Sequence, residues 1–316
     1  MNTLVKTNTA MTTIGKVVEK VNELSKACWD DGVPVKDISF DNLETINVGN
    51  EKHNMKEVAQ VEMAFRLGIP IFYLRKCSPD VQAYNMNHWI KKERNDELFV
   101  RFDGDEVRAI FTPRYIPVDN IVILRRLEQM GFKQDASVQC HIDGEFMLLN
   151  IPNNEGTFKI LKDAMTPGIS IQNSEVGLAA IGMSAYILRL ACTNGLIVPV
   201  EIGANKYRHI SKRVLEEFPM IISDMIGHLS EQKDQIKISM ESPVSDPFST
   251  LMQFNRQFQL NKPEREAVDW AWLLEQGTSM FNIIQTYTRA SQFDRLKAEE
   301  SFRLQRTGGS IMCMLN

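Results

Sequence analysis

The chain has 316 residues, room for one large domain or two ordinary ones. Its 43% hydrophobic and 24% charged residues fit a globular chain with a sizeable core, while a formal charge of −4 excludes a globally basic nucleic-acid binder and leaves only a local basic patch for such a role. Cys28, Cys77, Cys140, Cys192 and Cys313 are odd in number, widely spaced and form no CxxC; this suggests neither a zinc ribbon nor a disulfide framework and reads as buried or incidental thiols in a reducing cytoplasm.

The first residues, MNTLVKTNTAMTT, are polar and lack the apolar stretch of a signal peptide. The most apolar run, residues 176–188, is shorter than the ~18 residues of a spanning helix, and Arg189 ends it. A cytoplasmic protein without a membrane partner is expected.

Residues 12–27 set Ile14, Val17, Val18, Val21 and Leu24 at helical spacing. Residues 29–50 hold no sustained period and read as a loop with short strands. Residues 52–67 read as a second helix with Met55, Val58, Val61 and Phe65 on its apolar side, stopped by Gly68 and Pro70. Ser78, Pro79 and Asp80 supply a hydroxyl N-cap, a proline at the first helical position and an acid in the first turn of a helix running to about Lys92.

Residues 98–111, LFVRFDGDEVRAIF, predict a hairpin turning on Asp103-Gly104 in a type I′ geometry. A two-residue turn groups Leu98, Val100, Phe102, Val107, Ala109 and Phe111 on one face, and Phe99, Arg101, Glu106, Arg108 and Ile110 on the other. Residues 119–130 predict a helix closed by Gly131. A second hairpin on Asp143-Gly144 groups Val138, Cys140, Ile142, Met147 and Leu149. Residues 168–171 and 179–192 have the β-branched character to extend a sheet, although 180–190 also suits a buried helix. Residues 210–231, 250–259, 263–275, 280–291 and 293–306 read as helices, with Pro243 and Pro247 marking a linker. The expected fold is α+β: an antiparallel sheet built from β-hairpins packed by helices, then a mostly helical C-terminal region. The expected divisions are 1–50 (a helix and an irregular segment), 51–208 (the α+β core) and 209–316 (the helical region).

Residues 171–198, IQNSEVGLAAIGMSAYILRLACTNGLIV, frame an apolar segment with two polar turns. Together with IFYLRKCSP at 71–79, Asn87-His88-Trp89, RAIFTPRYIP at 108–117, TYTRA at 286–290 and Gly308-Gly309, this pattern resembles the phage/plasmid-like proteins of domain-of-unknown-function family 932. The resemblance covers most of the chain from about Val58 on. It implies a gene carried by a phage, prophage or plasmid, a place in the bacterial host's cytoplasm, and a role in nucleic-acid metabolism or in coping with the host. It implies no particular activity.

Three groups of residues bear on chemistry. Arg101 and Arg108 with Phe99, followed by Arg114 and Tyr115 and preceded by Arg75, Lys76, Lys91, Lys92 and Arg94, offer cations for phosphates and rings for bases, as single-strand binders do. Residues 71–126 nevertheless balance ten Lys/Arg against eight Asp/Glu, so an ordinary charged sheet face is the plainer alternative. Lys206, Tyr207, Arg208, Lys212 and Arg213 form the densest basic cluster, without an acid between residues 202 and 214, at an expected helix start where phosphate would bind. Arg189, in an apolar segment, needs a partner: Glu175 in a structural pair, or a backbone phosphate in a groove.

Enzymatic signals are weaker. Asp103, Asp105 and Glu106 straddle a turn, and the five histidines show no HxH or HExxH spacing. GxSxG and glycine-rich phosphate loops are absent, and Gly308-Gly309 reads as a helix C-cap. Nothing calls for a cofactor or a metal. The function expected is non-catalytic binding, with annealing as an extension, of single-stranded DNA by a protein that assembles with its own copies. The alternatives are a protein-binding inhibitor of a host defence or regulatory complex, then a metal-dependent nuclease.

Overall fold

Backbone pairing sorts the strands into two sheets. The computed structural model describes residues 11–160, 163–189, 194–198 and 229–315. In chain order, β1 (Met11–Thr13) leads into α1 (Ile14–Leu24), then β2 (Cys28–Pro34), β3 (Ile38–Phe40), β4 (Thr45–Val48) and β5 (Glu51–Met55). Next come α2 (Glu57–Arg66), the single turn α3 (Ile71–Leu74), α4 (Pro79–Ile90) and the hairpin of β6 (Glu97–Asp103) and β7 (Glu106–Phe111). α5 (Asn120–Gln129) precedes β8 (Ser137–Ile142), β9 (Met147–Pro152), β10 (Phe158–Ile160), β11 (Asp163–Asn173), β12 (Gly182–Arg189) and β13 (Asn194–Val198). The C-terminal helices are α6 (Leu229–Glu241), α7 (Pro247–Gln257), α8 (Lys262–Glu275), α9 (Met280–Ala290) and α10 (Ala298–Cys313). The fold is α+β, with two sheets and a helical C-terminal region.

One sheet has the order β2-β6-β7-β5-β4-β3, and the other β1-β8-β9-β11-β12-β13 with β10 beside β11. Pairing is antiparallel except for the short contact of β5 with β7. The expected division at residue 50 falls between β4 and β5, which are hydrogen-bonded neighbours.

The second expected helix begins five residues late. Residues 51–55 bury only His53 and Met55, a period of two, and form β5 instead. α2 then turns Val58, Ala59, Met63 and Ala64 inward, and leaves Val61 and Phe65 exposed. The stops at Gly68 and Gly131 hold, both with positive φ. Ser78 precedes α4 as expected, but its hydroxyl makes no capping bond.

The first hairpin turns one residue later than expected. Asp103 pairs with Glu106, so Gly104 and Asp105 are central, and only Gly104 has positive φ, at 56°. That is the requirement of a type II′ turn, which asks for glycine first. The displacement leaves Val107 on the Phe102 face. A β-bulge at Arg108 then reverses the rest of β7: Arg101 pairs with Ala109, so Ile110 joins the core with Val100, while Ala109 and Phe111 join the Arg101 face. In the second hairpin Ile142 pairs with Met147 across a four-residue loop in place of two, a shift that preserves the face. Val138, Cys140, Ile142, Met147 and Leu149 all lie in one core, as expected.

That core lies between α1, α5 and one face of the second sheet. The opposite face, through Phe146, Leu148, Tyr186 and Leu188, takes Ala298 and Phe302 of α10, and Asn150 donates to Gln305 at 3.1 Å. A further core joins Met165, Ala185, Ile187 and Leu196 to the C-terminal helices. The first sheet packs its own core against α2, α3 and α4.

Gly308 and Gly309 lie inside α10 and cap nothing. A Cβ on Gly308 would stand 3.0 Å from Thr288 Cγ2 and 3.3 Å from the Ile284 carbonyl oxygen, so the glycine permits close approach of α10 to α9. Gly308→Val is expected to cost about 1–3 kcal/mol by forcing the helices apart, measured by urea denaturation. An unchanged midpoint would remove the close-packing role.

Candidate nucleic-acid interface

The sequence places Arg101 and Arg108 on an outward sheet face; the structure buries both, at 3% and 5% exposure. The connection between β11 and β12 covers that face. Arg101 grips Asp30 with Nε and Nη2 at 2.9 and 3.1 Å, and its Nη2 also reaches Asp119 Oδ1 at 2.6 Å. Its Nη1 donates to the Glu175 carbonyl at 3.1 Å. Arg108 Nη2 donates to Glu175 Oε2 at 2.9 Å, while Glu175 Oε1 accepts the Asn120 amide at 2.7 Å. Burial opposes the charge of Arg101, but its bonds to the Asp30 and Asp119 carboxylates outweigh that and hold its pKa above the ordinary value. These arginines bind the two sheets together, and of the two only Arg108 lines a cavity, a small one of about 50 Å³ that Glu175 shares.

Arg114 is exposed. Tyr115 is half-buried and stacks on Phe111, with centroids 3.8 Å apart and planes 4° from parallel. Burial pushes its hydroxyl up to about 12. Arg189 is held by Asp163 and Glu275, at 2.9 and 3.3 Å, over the Phe281 ring. Glu175, its expected partner, lies in the β11–β12 connection, at the opposite end of β12 from Arg189, and is engaged with Arg108. Glu275 also accepts from Arg289 Nε at 3.1 Å, so Arg189 belongs to a structural network under the C-terminal helices. Lys206, Tyr207, Arg208, Lys212 and Arg213 lie outside the described residues.

Cations and exposed rings converge elsewhere, in a groove of about 570 Å³ between α2, the turn after α4, and β7. Arg66, Lys92 and Arg94 supply positive charge, and Phe65, Trp89 and Phe111 supply rings. Phe65 is 87% exposed and Trp89 43%. Lys92 Nζ stands 4.3 Å from the Trp89 ring centre, a cation–π contact. Arg66 lies 3.5 Å from Glu93. Phe111, the one ring of β7, lines the groove and also stacks on Tyr115 just beyond the strand.

Glu62 lines the same groove. Its Oε2 accepts the Ile110 amide at 3.2 Å. Burial pushes its carboxyl up to about 8, against the smaller pull of that amide and of Arg66. At neutral pH it is therefore uncharged, leaving Arg66, Lys92 and Arg94 opposed only by Glu93.

Lys92 and Arg94 stand among the cations that the sequence singles out, and Trp89 stands in a segment of the family resemblance. Phe65 is misassigned to the helix's inner side. Arg66 and Glu62 are missed, because two charges four residues apart on a helix read as an exposed pair.

Around the first hairpin turn, Lys56 pairs with Asp103 and lies 3.7 Å from Glu106. Among the described residues no group of three His, Cys, Asp or Glu side chains could hold a metal ion, and no helix is long and apolar enough to cross a membrane. No family model, curated protein or solved structure matches the chain.

Two outcomes follow from this geometry. Glu175→Ala leaves Arg108 buried and unpaired, and is expected to cost about 3–5 kcal/mol in chemical denaturation; a loss below about 1 kcal/mol would show that the network is not what joins the sheets. Glu62 keeps a proton in the folded chain, up to about pH 8, that the unfolded chain loses near its ordinary value of 4.5. Stability must then fall as pH rises through that window. Allowing for its solvent-facing edge, the loss is about 3 kcal/mol. Glu62→Gln should flatten the fall in unfolding free energy between about pH 5 and about pH 9; parallel profiles for the two proteins would contradict the assignment.

Proposed function

We propose that this chain binds single-stranded DNA through the groove between α2, the α4 turn and β7, as a non-catalytic protein of phage or plasmid nucleic-acid metabolism. The observation that carries the reading is the solvent exposure of Phe65 and Trp89 among Arg66, Lys92 and Arg94. Large rings left in water beside cations suit a ligand with flat faces and a charged backbone, and a single strand has both. A duplex hides its base faces and fits less well. The family resemblance supports the same setting, with the bacterial host's cytoplasm as its place. A groove of this size holds a short stretch of strand, so tight binding calls for several subunits along one strand, and annealing would follow from bringing two coated strands together.

A second reading, a protein-binding inhibitor of a host complex, draws on Leu273 and Leu274, which α8 exposes. It predicts partner capture without any salt-dependent affinity for DNA.

Fluorescence anisotropy of a labelled single strand and of its duplex, across a salt series, separates the two. Single-strand affinity is expected to be micromolar or tighter, to exceed duplex affinity, and to fall with a log–log salt slope of about −2, from three cations at about 0.7 each. Trp89→Ala should weaken binding by about tenfold at every salt concentration, and Arg94→Ala should lower the slope by about 0.7. Absence of single-strand binding at low salt would remove this reading and leave the second.

A further inference from the structure

Phosphate binding alone gives no use to a carboxyl group in the groove. Yet Glu62 is built into it: its Oε2 takes the Ile110 amide, and its Oε1 lies so close to the β11–β12 connection that a Cβ on Gly177 would stand 2.5 Å from it. Two backbone segments thus fix the carboxyl beside Phe65, Trp89 and Phe111. A base stacked on one of these rings turns its polar edge, not its face, toward the neighbouring groove wall.

We infer that Glu62 contacts the edge of a base stacked in this groove, taking any base when the carboxyl is neutral and favouring guanine when it is ionised. The inference rests on the groove being the single-strand site. A neutral carboxyl carries one O–H donor beside one acceptor, and an ionised one carries acceptors only. Every base has an edge with a donor next to an acceptor, so the neutral form meets all four. Guanine alone offers two adjacent donors, N1–H and N2–H, to the ionised form. Adenine, cytosine and thymine then each set an acceptor against a carboxylate oxygen. The neutral form is the one present at pH 7, since burial holds the proton on Glu62 up to about pH 8. That matches a protein that coats strands without regard to sequence.

The charged groups facing Glu62 are Arg66 on its own helix and Lys92, Glu93 and Arg94 from the α4 turn. β7 presents Ile110 and Phe111, and the β11–β12 connection presents Gly177. The imidazole of His88 packs edge-on to Trp89, with ring centres 5.3 Å apart.

The test is anisotropy of the full chain with labelled oligo-dA, oligo-dC, oligo-dT and an alternating dG/dT strand at about pH 7 and about pH 9. Wild-type affinity for the first three is expected to fall about tenfold, the worth of one hydrogen bond, while the guanine-bearing strand falls by less than about threefold. Glu62→Gln keeps a donor and an acceptor at both pH values, and its affinities should not change between them. Glu62→Leu should bind with one pH-independent affinity and no guanine advantage at about pH 9. An equal fall on all four strands, abolished in Glu62→Gln, would mean simple repulsion of phosphate and overturn the inference. So would binding that Glu62 does not influence, although the groove would then still be the single-strand site. No binding of any strand would overturn the site and the inference together.

Discussion

Arg101 and Arg108 sit on adjacent strands almost wholly withdrawn from solvent, and the joining of the two sheets follows from how their charge is met. A guanidinium removed from water without a partner is too costly to persist in a folded chain. Arg101 is answered by Asp30 on the neighbouring β2, by Asp119 at the start of α5, and by the Glu175 carbonyl. Arg108 is answered by the Glu175 carboxylate. Asp30 lies in the same sheet as Arg101, whereas Glu175 comes from the connection of the other sheet, so the sheets must close on each other for Arg108 to meet its carboxylate and for Arg101 to complete its set of bonds. The apolar contact at this junction is small: Val58, Ala109 and Val176, with Phe111 beside them. Position is set there mainly by polar geometry, whereas each sheet's own core is set by area removed from water.

The same network reaches the groove. Glu175 anchors the connection between β11 and β12, and Gly177, two residues on, has φ of 86° and lies against both Glu62 and Phe111. A side chain at Gly177 would collide with both. The bulge at Arg108 is the other half of this arrangement. It sends Arg108 to Glu175, and by reversing the strand beyond it turns Phe111 toward the groove and the Tyr115 ring. One extra residue in a strand thus decides which rings are available to a ligand.

Local rules carried the reading of the sequence as far as they apply. The helix stops at Gly68 and Gly131, the start at Pro79, α5, and the shared face of β8 and β9 depend on near neighbours, and a pattern of near neighbours shows them. The bulge depends on Glu175, which lies 67 residues from Arg108 in the chain and whose approach no local period records. For that reason Arg101 and Arg108 read as a solvated basic face. Phe65 misled in the opposite direction: its helical spacing from Val58 and Val61 suggests a buried stripe, but Ala59, Met63 and Ala64 are the residues that let α2 settle on β7. Small residues give a weak periodic signal and a strong packing one. Lys92 and Arg94 were legible as cations, because charge in a turn needs no tertiary context to be exposed.

Burial and charge then act together in the groove. Were Glu62 open to water it would be ionised at neutral pH, and with Glu93 would nearly cancel Arg66, Lys92 and Arg94. Packing against β7 and the Gly177 segment withdraws it from water and keeps it protonated, so the groove is cationic at the pH where it would meet a phosphate backbone. The cost appears as reduced stability at higher pH, carried by the folded state as a whole. A carboxyl that only stabilised the fold would be held by donors favouring its ionised form, as Glu175 is held by Arg108 and the Asn120 amide. Glu62 receives a single amide, and Arg66 on its own helix is turned to Glu93. The two glutamates, one bonded to a buried arginine and one kept neutral by burial, mark the difference between the residue that joins the sheets and the residue that shapes the groove.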